Sequence, residues 1–373
     1  MIYFLHVLVL FGGLYYINSL SLRVIIMPIL LLYLFGKSLT SKVKLNYEIL
    51  ALFILGMIIL LIHLSNNSLG MLSEGRNIRN FSISVLSIVF SMFAFKHSSF
   101  DLDKLINILF YTLIPFATLH LLLILFTPFP WVVIEIIFNI PYELSHLYTR
   151  IFIPMGTPPQ LSFVSSCLLI YFLTTNKSVN YFKVFALGLI IILCGSNSSF
   201  VSLGIVLIFH ILYISIKEGN RSIRALILIT PLILLITTFL YIFFIRDFSN
   251  VQESMLRHIM LRSQSFLIYI GLPIEQKLFG IGLGNSPNYI EGSYSFMFTL
   301  TYLLESGLIG LTFVILYYLA VLIFSMRSQN YLIFIYVLFA SNFYQLNTDL
   351  TFFTIPFIAL AALRQNKEKD DTY

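Results

Sequence analysis

The chain has 373 residues, 59% of them apolar and 10% charged, with a net charge of +6 and a mean hydropathy of +0.94. A soluble domain carries about 25% charged residues and about half apolar ones, and no soluble core of this length could cover so much apolar surface. The basic excess therefore bears first on orientation in a membrane, and nothing in it points to nucleic acid as a partner.

The opening Met1-Ile-Tyr-Phe-Leu-His6 has no basic leader and no small-residue cleavage site. The first apolar run is thus expected to be a retained span, with the mature chain starting at or near Met1. Spanning takes about 20 apolar residues, fewer where flanking side chains snorkel. In chain order the candidates are 2–18, 22–36, 47–64, 80–95, 105–127, 161–175, 183–195, 199–216, 225–245, 300–325, 331–347 and 352–363. The second, seventh and twelfth are the shortest. The expectation is an all-α polytopic bundle of about twelve transmembrane helices, with ten as the lower bound, forming one domain over 1–373 and ending in a polar tail, Gln365–Tyr373. Cys167 and Cys194 fall inside apolar runs and read as small hydrophobes rather than as a disulfide or metal pair.

Charge gives an independent orientation. With the N-terminus inside, 14 of the 22 Lys and Arg residues lie in inner segments, as the positive-inside rule expects, and both termini are cytoplasmic. The other eight are Arg23, Arg76, Arg79, Arg150, Arg246, Arg257, Arg262 and Lys277. Seven of those eight are arginines, whereas lysine is the majority inside. Orientation needs only charge, so a preference for the planar bidentate donor hints at phosphate or carboxylate recognition on the outer side. Arg76 and Arg79, three apart before the fourth span, either clamp a diphosphate or snorkel.

Two outer segments are much longer than the rest, 128–160 and 246–299, and a function outside the bilayer would be housed there. The first holds Pro128-Phe-Pro-Trp131 and an apolar stretch to Ile140, which reads as an interfacial helix anchored by the only Trp. In the second, residues 251–270 fit a helix with Val251, Met255, Leu256, Ile259, Met260, Phe266, Leu267 and Ile270 in one apolar sector. Glu253 stands four residues before Arg257, in the favourable sense for a solvated helical ion pair. His258 and Arg262 are also four apart, on the border of that sector. Two cations at this spacing repel, so either the imidazole is neutral or an anion lies between them. A neutral His258 beside a phosphate-holding Arg262 could accept a proton from a sugar hydroxyl; the plainer reading is an interfacial His and a snorkelling Arg.

Beyond this helix come Gly280, Gly282 and Gly284 at alternate positions. Three such glycines allow a tight turn and close approach of a ligand such as phosphate, or simply a loop bend. Metal, hydrolase and nucleotide-binding signatures are absent from the sequence, so neither a metal nor another cofactor is expected.

The order of these features resembles the superfamily of O-antigen polymerases (Wzy-type) and O-antigen ligases of bacterial envelopes. There an Arg opens an amphipathic helix, a G-x-G-x-G turn follows, and a span begins with Glu-x-Gly-x-x-Gly. Here these are Arg262, the three glycines, and Glu305-Ser-Gly307-Leu-Ile-Gly310, so the match is closest over 257–325. Upstream, Arg150 with Met155-Gly156-Thr-Pro-Pro and Gly195-Ser-Asn-Ser-Ser199 are similar to weaker family features, although Asn197 stands where the family has Arg. A His-Asn pair usual in ligases is replaced by Ser293-Tyr-Ser-Phe296, which favours polymerase over ligase.

The resemblance implies a multi-span (GT-C-like) glycosyltransferase of the inner membrane that works on undecaprenyl-diphosphate-linked oligosaccharides at the periplasmic face. Taken with the spacing and charge readings above, it makes His258 and Arg262 the candidate catalytic residues and Arg76, Arg79, Arg150, Arg257, the three glycines and Glu305 the candidate substrate contacts. It also implies the lipid bilayer, a chain-length regulator and a flippase of the same pathway as partners. For Glu305 an acid–base role and a role in capping or orienting the span both remain open. The alternatives are an O-antigen ligase, a capsular or exopolysaccharide polymerase and, from another class, a lipid-linked oligosaccharide flippase or transporter.

Overall fold

The computed structural model describes residues 47–68, 101–126, 157–175, 180–218, 248–290, 297–343 and 350–370, with scattered positions before 47, between 78 and 86, and at 151. These residues are helical throughout apart from turns and one antiparallel pairing two residues long, β1 (Tyr16–Ile17) against β2 (Leu20–Ser21). That pairing replaces the end of the first expected span.

The helices are α1 (Tyr47–Ser68), α2 (Leu102–Phe126), α3 (Pro158–Thr174), α4 (Tyr181–Cys194), α5 (Asn197–Glu218), α6 (Phe248–Gly271), α7 (Ile274–Phe279), α8 (Ser286–Tyr289), α9 (Phe298–Ser328), α10 (Tyr331–Phe343) and α11 (Leu350–Asp370). Of these, α2 and α9 are long and apolar enough to cross a membrane, and α1, α3, α4, α5 and α10 each contain a shorter apolar helical stretch. The expected spans 2–18 and 80–95 are described only at isolated positions, 22–36 only in part, with 26–30 helical, and 225–245 lies outside the described residues.

Local chemistry explains where these helices start and stop. Thr157 precedes Pro158 and Pro159, which occupy the first helical positions of α3, where a missing N–H costs nothing. The Asn180 side chain accepts from the Lys183 amide to begin α4, and Gly195 ends it in the left-handed conformation at φ 59°. Residues 161–172 of α3 are buried without interruption, because α4, α5, α10 and α11 all pack on it. A helix buried on all sides belongs at the centre of a bundle, and α3 holds that place, its Ser162, Ser165 and Ser166 buried with its apolar residues. Around it, α9 packs on α1, α10 and α11, and α11 packs on α2.

One end of the bundle is tied by polar contacts between helix termini. Arg327 at the end of α9 pairs with Glu48 at the start of α1 at 2.5 Å. The Asn330 amide group donates to Thr174 Oγ1 at 2.7 Å, joining the start of α10 to the end of α3. Tyr171 donates to Asp103 Oδ1 at 2.5 Å and accepts from Asn366 at 3.0 Å. The Leu102 amide, an orphan donor of the first turn of α2, finds Gln365 Oε1 at 3.0 Å. Lys183 bonds Asn107 and lies over the Phe110, Tyr111 and Phe172 rings.

These contacts correct the expected polar tail. Residues 365–370 continue α11, and Gln365 and Asn366 are part of the seam that closes this end. Lys104, Lys183, Arg327, Arg364 and Lys367 all lie at this end, whereas Arg257, Arg262 and Lys277 lie on elements packed at the other end of α9.

Candidate functional site

At the other end, α9 is not continuous. Gly307 has φ 64° and ψ −152°, which interrupts the helix after Ser306. An interruption frees carbonyls of the preceding turn, and a buried carbonyl needs a donor. The three-glycine turn supplies two: Ile281 N donates to Leu304 O and Gly282 N to Glu305 O, both at 3.0 Å. The two motifs, read separately in the sequence, form one joint.

The joint is a contact of backbone on backbone. A Cβ on Gly280 (φ 80°) would lie 2.1 Å from the Glu305 carbonyl oxygen, and one on Gly307 would lie 2.4 Å from the Leu278 carbonyl. No side chain fits at either place. Rings brace the break: Tyr302 before it stacks on Phe313 after it at 5.6 Å, and Phe81 packs against both at 5.9 Å. Asn285 closes the turn by donating its side-chain amide to Ile281 O at 2.9 Å.

Four polar side chains from three helices meet here. Glu305 is 3% exposed, and its Oε1 accepts a 2.5 Å hydrogen bond from Ser286 Oγ at the start of α8. Ser306, also buried, shares a 3.1 Å hydrogen bond with Nε2 of His63, near the end of α1. Sequence reasoning placed Glu305 at the start of a span and missed His63, Ser286 and Ser306. The imidazole sits one residue before the end of the expected span 47–64, where it reads as an interfacial residue, and serines carry no signal in isolation.

The helix carrying the expected arginines is α6. Its protein-facing side is Leu261, Ser265 and Leu272, flanked by Ile268, and the apolar members of this side join Ile281, Ile290 and Leu304 in a small cluster. The apolar sector read from the wheel points the other way: Leu256, Ile259, Met260, Phe266, Leu267 and Ile270 are all exposed, Met260 at 67%. Thus α6 is apolar on two opposite sides and polar along the two edges between them. Arg257 is exposed on one edge.

Arg262 is half-buried on the other edge, about 140° around the helix. Burial pushes its guanidinium below the usual arginine value. Tyr269, seven residues on and along the same edge, donates to Lys277 O at 3.2 Å and ties α6 to α7, and burial pushes its phenol up. The two arginines that the spacing distinguished therefore occupy different environments. The side chain of His258 and all of Arg76, Arg79 and Arg150 lie outside the described residues.

Chemically, this end of the bundle offers a partly desolvated guanidinium, a buried carboxylate held by a hydroxyl, and an imidazole. A guanidinium in reduced dielectric binds phosphate oxygens in a fixed plane, and carboxylate or imidazole can hold a proton. Among the described residues, no three His, Cys, Asp or Glu side chains gather as a metal-binding group. Compared with known protein families and with curated proteins, the chain matches none.

Proposed function

We infer that the chain is a polytopic inner-membrane glycosyltransferase of about twelve spans that polymerises undecaprenyl-diphosphate-linked repeat units into O-antigen at the periplasmic face. One observation carries this reading: the Arg262 helix, the three-glycine turn and the Glu305 break, separate in sequence, pack into one unit at the bundle end opposite the lysine-bearing seam. The positive-inside rule assigns that seam to the cytoplasm and the unit to the outer face.

In this reading the anomeric C–O bond of the growing chain breaks and its electron pair leaves with the lipid diphosphate. The acceptor hydroxyl of the new repeat unit forms the glycosidic bond and gives up its proton. Arg262 stabilises charge gathering on the diphosphate, and Arg76, Arg79, Arg150 and Arg257 are further candidates to hold it. His258 takes the proton. The linkage broken is itself activated, so no nucleotide is required.

A transporter has one observation in its favour, because a broken helix with a buried carboxylate is how many transporters build a site. Depth argues against it. Residues 308–328, after the break, rise about 32 Å at 1.5 Å per residue, close to the ~30 Å hydrocarbon thickness. The break then falls at a membrane face rather than at the midplane where transporter sites lie. A ligase or a capsular polymerase would use the same unit on a different acceptor.

The decisive experiment gives the purified protein a defined lipid-linked repeat unit as both donor and acceptor. Lipid-linked multimers support the polymerase. Transfer only to lipid A-core would mean a ligase, and movement of intact substrate across a vesicle bilayer without bond formation would mean a flippase.

A further inference from the structure

His63 has no part in the chemistry outlined above, and nothing in the α1 sequence marks it out. It is fully buried, with Nε2 at 3.1 Å from Ser306 Oγ and with Nδ1 buried and without a hydrogen-bond partner among the described residues. An imidazole with one nitrogen satisfied and one not contributes little to stability, since the unsatisfied atom offsets most of the gain from the bond made. Leucine would fill the space without that cost. Stability alone therefore does not account for the residue, and its position does.

Ser306 lies between Glu305, whose carboxylate accepts from Ser286, and Gly307, where α9 breaks. A helical serine commonly turns its hydroxyl back on the carbonyl four residues earlier, as Ser265 does at 2.6 Å within α6. Ser306 instead reaches another helix.

We propose that His63 is a positioning residue for Glu305: its hydrogen bond to Ser306 fixes the α9 break that carries the carboxylate and extends the site into α1. Two contacts then hold Glu305 in place. Ser286 holds its side chain, and His63 holds the backbone beside it. For its catalytic consequence, the proposal rests on the polymerase reading, with Glu305 among the residues that contact the substrate.

The test uses full-length protein in lipid nanodiscs and compares wild type with His63→Leu, His63→Gln and Ser306→Ala. Hydrogen exchange is followed over 278–285 and 303–309, and polymerisation is assayed on a defined lipid-linked repeat unit. Glutamine can place its Nε2 near the imidazole Nε2 position and keep the bond to Ser306, whereas leucine cannot. His63→Leu and Ser306→Ala are expected to speed exchange in both segments and to lower kcat by about 100-fold, with KM little changed. His63→Gln is expected to recover most of both.

Unchanged exchange in His63→Leu and Ser306→Ala would overturn the proposal, and so would a glutamine variant no better than leucine. Should His63→Leu fail to fold, Ser306→Ala tests the same bond from the other side. A wild-type protein that makes no polymer sinks the polymerase reading instead, and exchange alone then decides whether His63 holds the break.

Discussion

Gly280 and Glu305 touch through their backbones: a methyl group on the glycine would lie 2.1 Å from the glutamate carbonyl oxygen. Substitution there meets both a steric clash and a φ of 80° that L residues rarely adopt. Gly280→Ala should cost at least about 1–2 kcal/mol from the backbone alone and more as the joint is pushed apart. Gly188→Ala in α4, where nothing lies within 4 Å, should be neutral or slightly stabilising. Thermal unfolding of the two variants in one detergent checks the contrast, and equal midpoints would reject the joint as described.

Arg262 and Arg257 provide the sharpest functional contrast. Losing a charge-assisted contact to developing phosphate charge should cost about 2.7–4 kcal/mol, or about 100- to 1,000-fold in rate. Losing an exposed ion pair should cost under about 1 kcal/mol. In cells, Arg262→Ala should remove the ladder of long O-antigen chains and leave lipid A-core with one repeat unit, while Arg257→Ala keeps most of the ladder. Core with no repeat unit would point to ligation or flipping, and an intact ladder in Arg262→Ala would remove Arg262 from the site.

Orientation is open to direct measurement. A reporter that works only in the periplasm, fused after residue 275 between Glu275 and Gln276 of α7, should be active. Activity only from a cytoplasmic reporter at that point would invert the bundle and take the glycan chemistry away from the Arg262 end.

The seam at the lysine-bearing end should be worth measuring through Tyr171, whose hydroxyl joins Asp103 on α2 to Asn366 on α11. Tyr171→Phe keeps the ring but leaves both partners short of a bond, and should cost about 1–2 kcal/mol. Arg364→Ala breaks only the exposed i,i+4 pair with Glu368 and should cost about 0.3–0.5 kcal/mol. Chemical denaturation of each variant decides, and equal losses would mean that the seam carries no more than a surface pair.

The runs that became α2, α3, α9 and α10 were legible because length and hydropathy nearly suffice to mark an apolar helix, and α2 and α9 are long enough to cross a membrane. Their partners were not. That Gly282 would cap Glu305 depends on a break at Gly307, and Glu-Ser-Gly within an apolar run reads equally well as unbroken helix. The wheel of α6 picked out a true apolar sector but not the second one, because Leu261, Ile268 and Leu272 are interleaved with Ser265 and the stripe is diluted. Gln365 and Asn366 looked like tail because their role lies in contacts with Leu102 and Tyr171, more than 190 positions away in the case of Asn366. Hydropathy reports where a chain leaves water; it is silent on which polar atoms then find each other.

The junction of α9 and α10 has a bearing on biogenesis. Only Gln329, at φ 53°, and Asn330 separate Ser328 from Tyr331. Three Cα steps reach at most about 11 Å, far short of a ~30 Å hydrocarbon layer. On the proposed polytopic reading, the two helices would not be threaded through the translocon in independent orientations and would enter as a single hairpin. On that reading Arg327, one residue before the end of α9, would anchor the topology of both at once, and its pair with Glu48 would then tie the hairpin to α1.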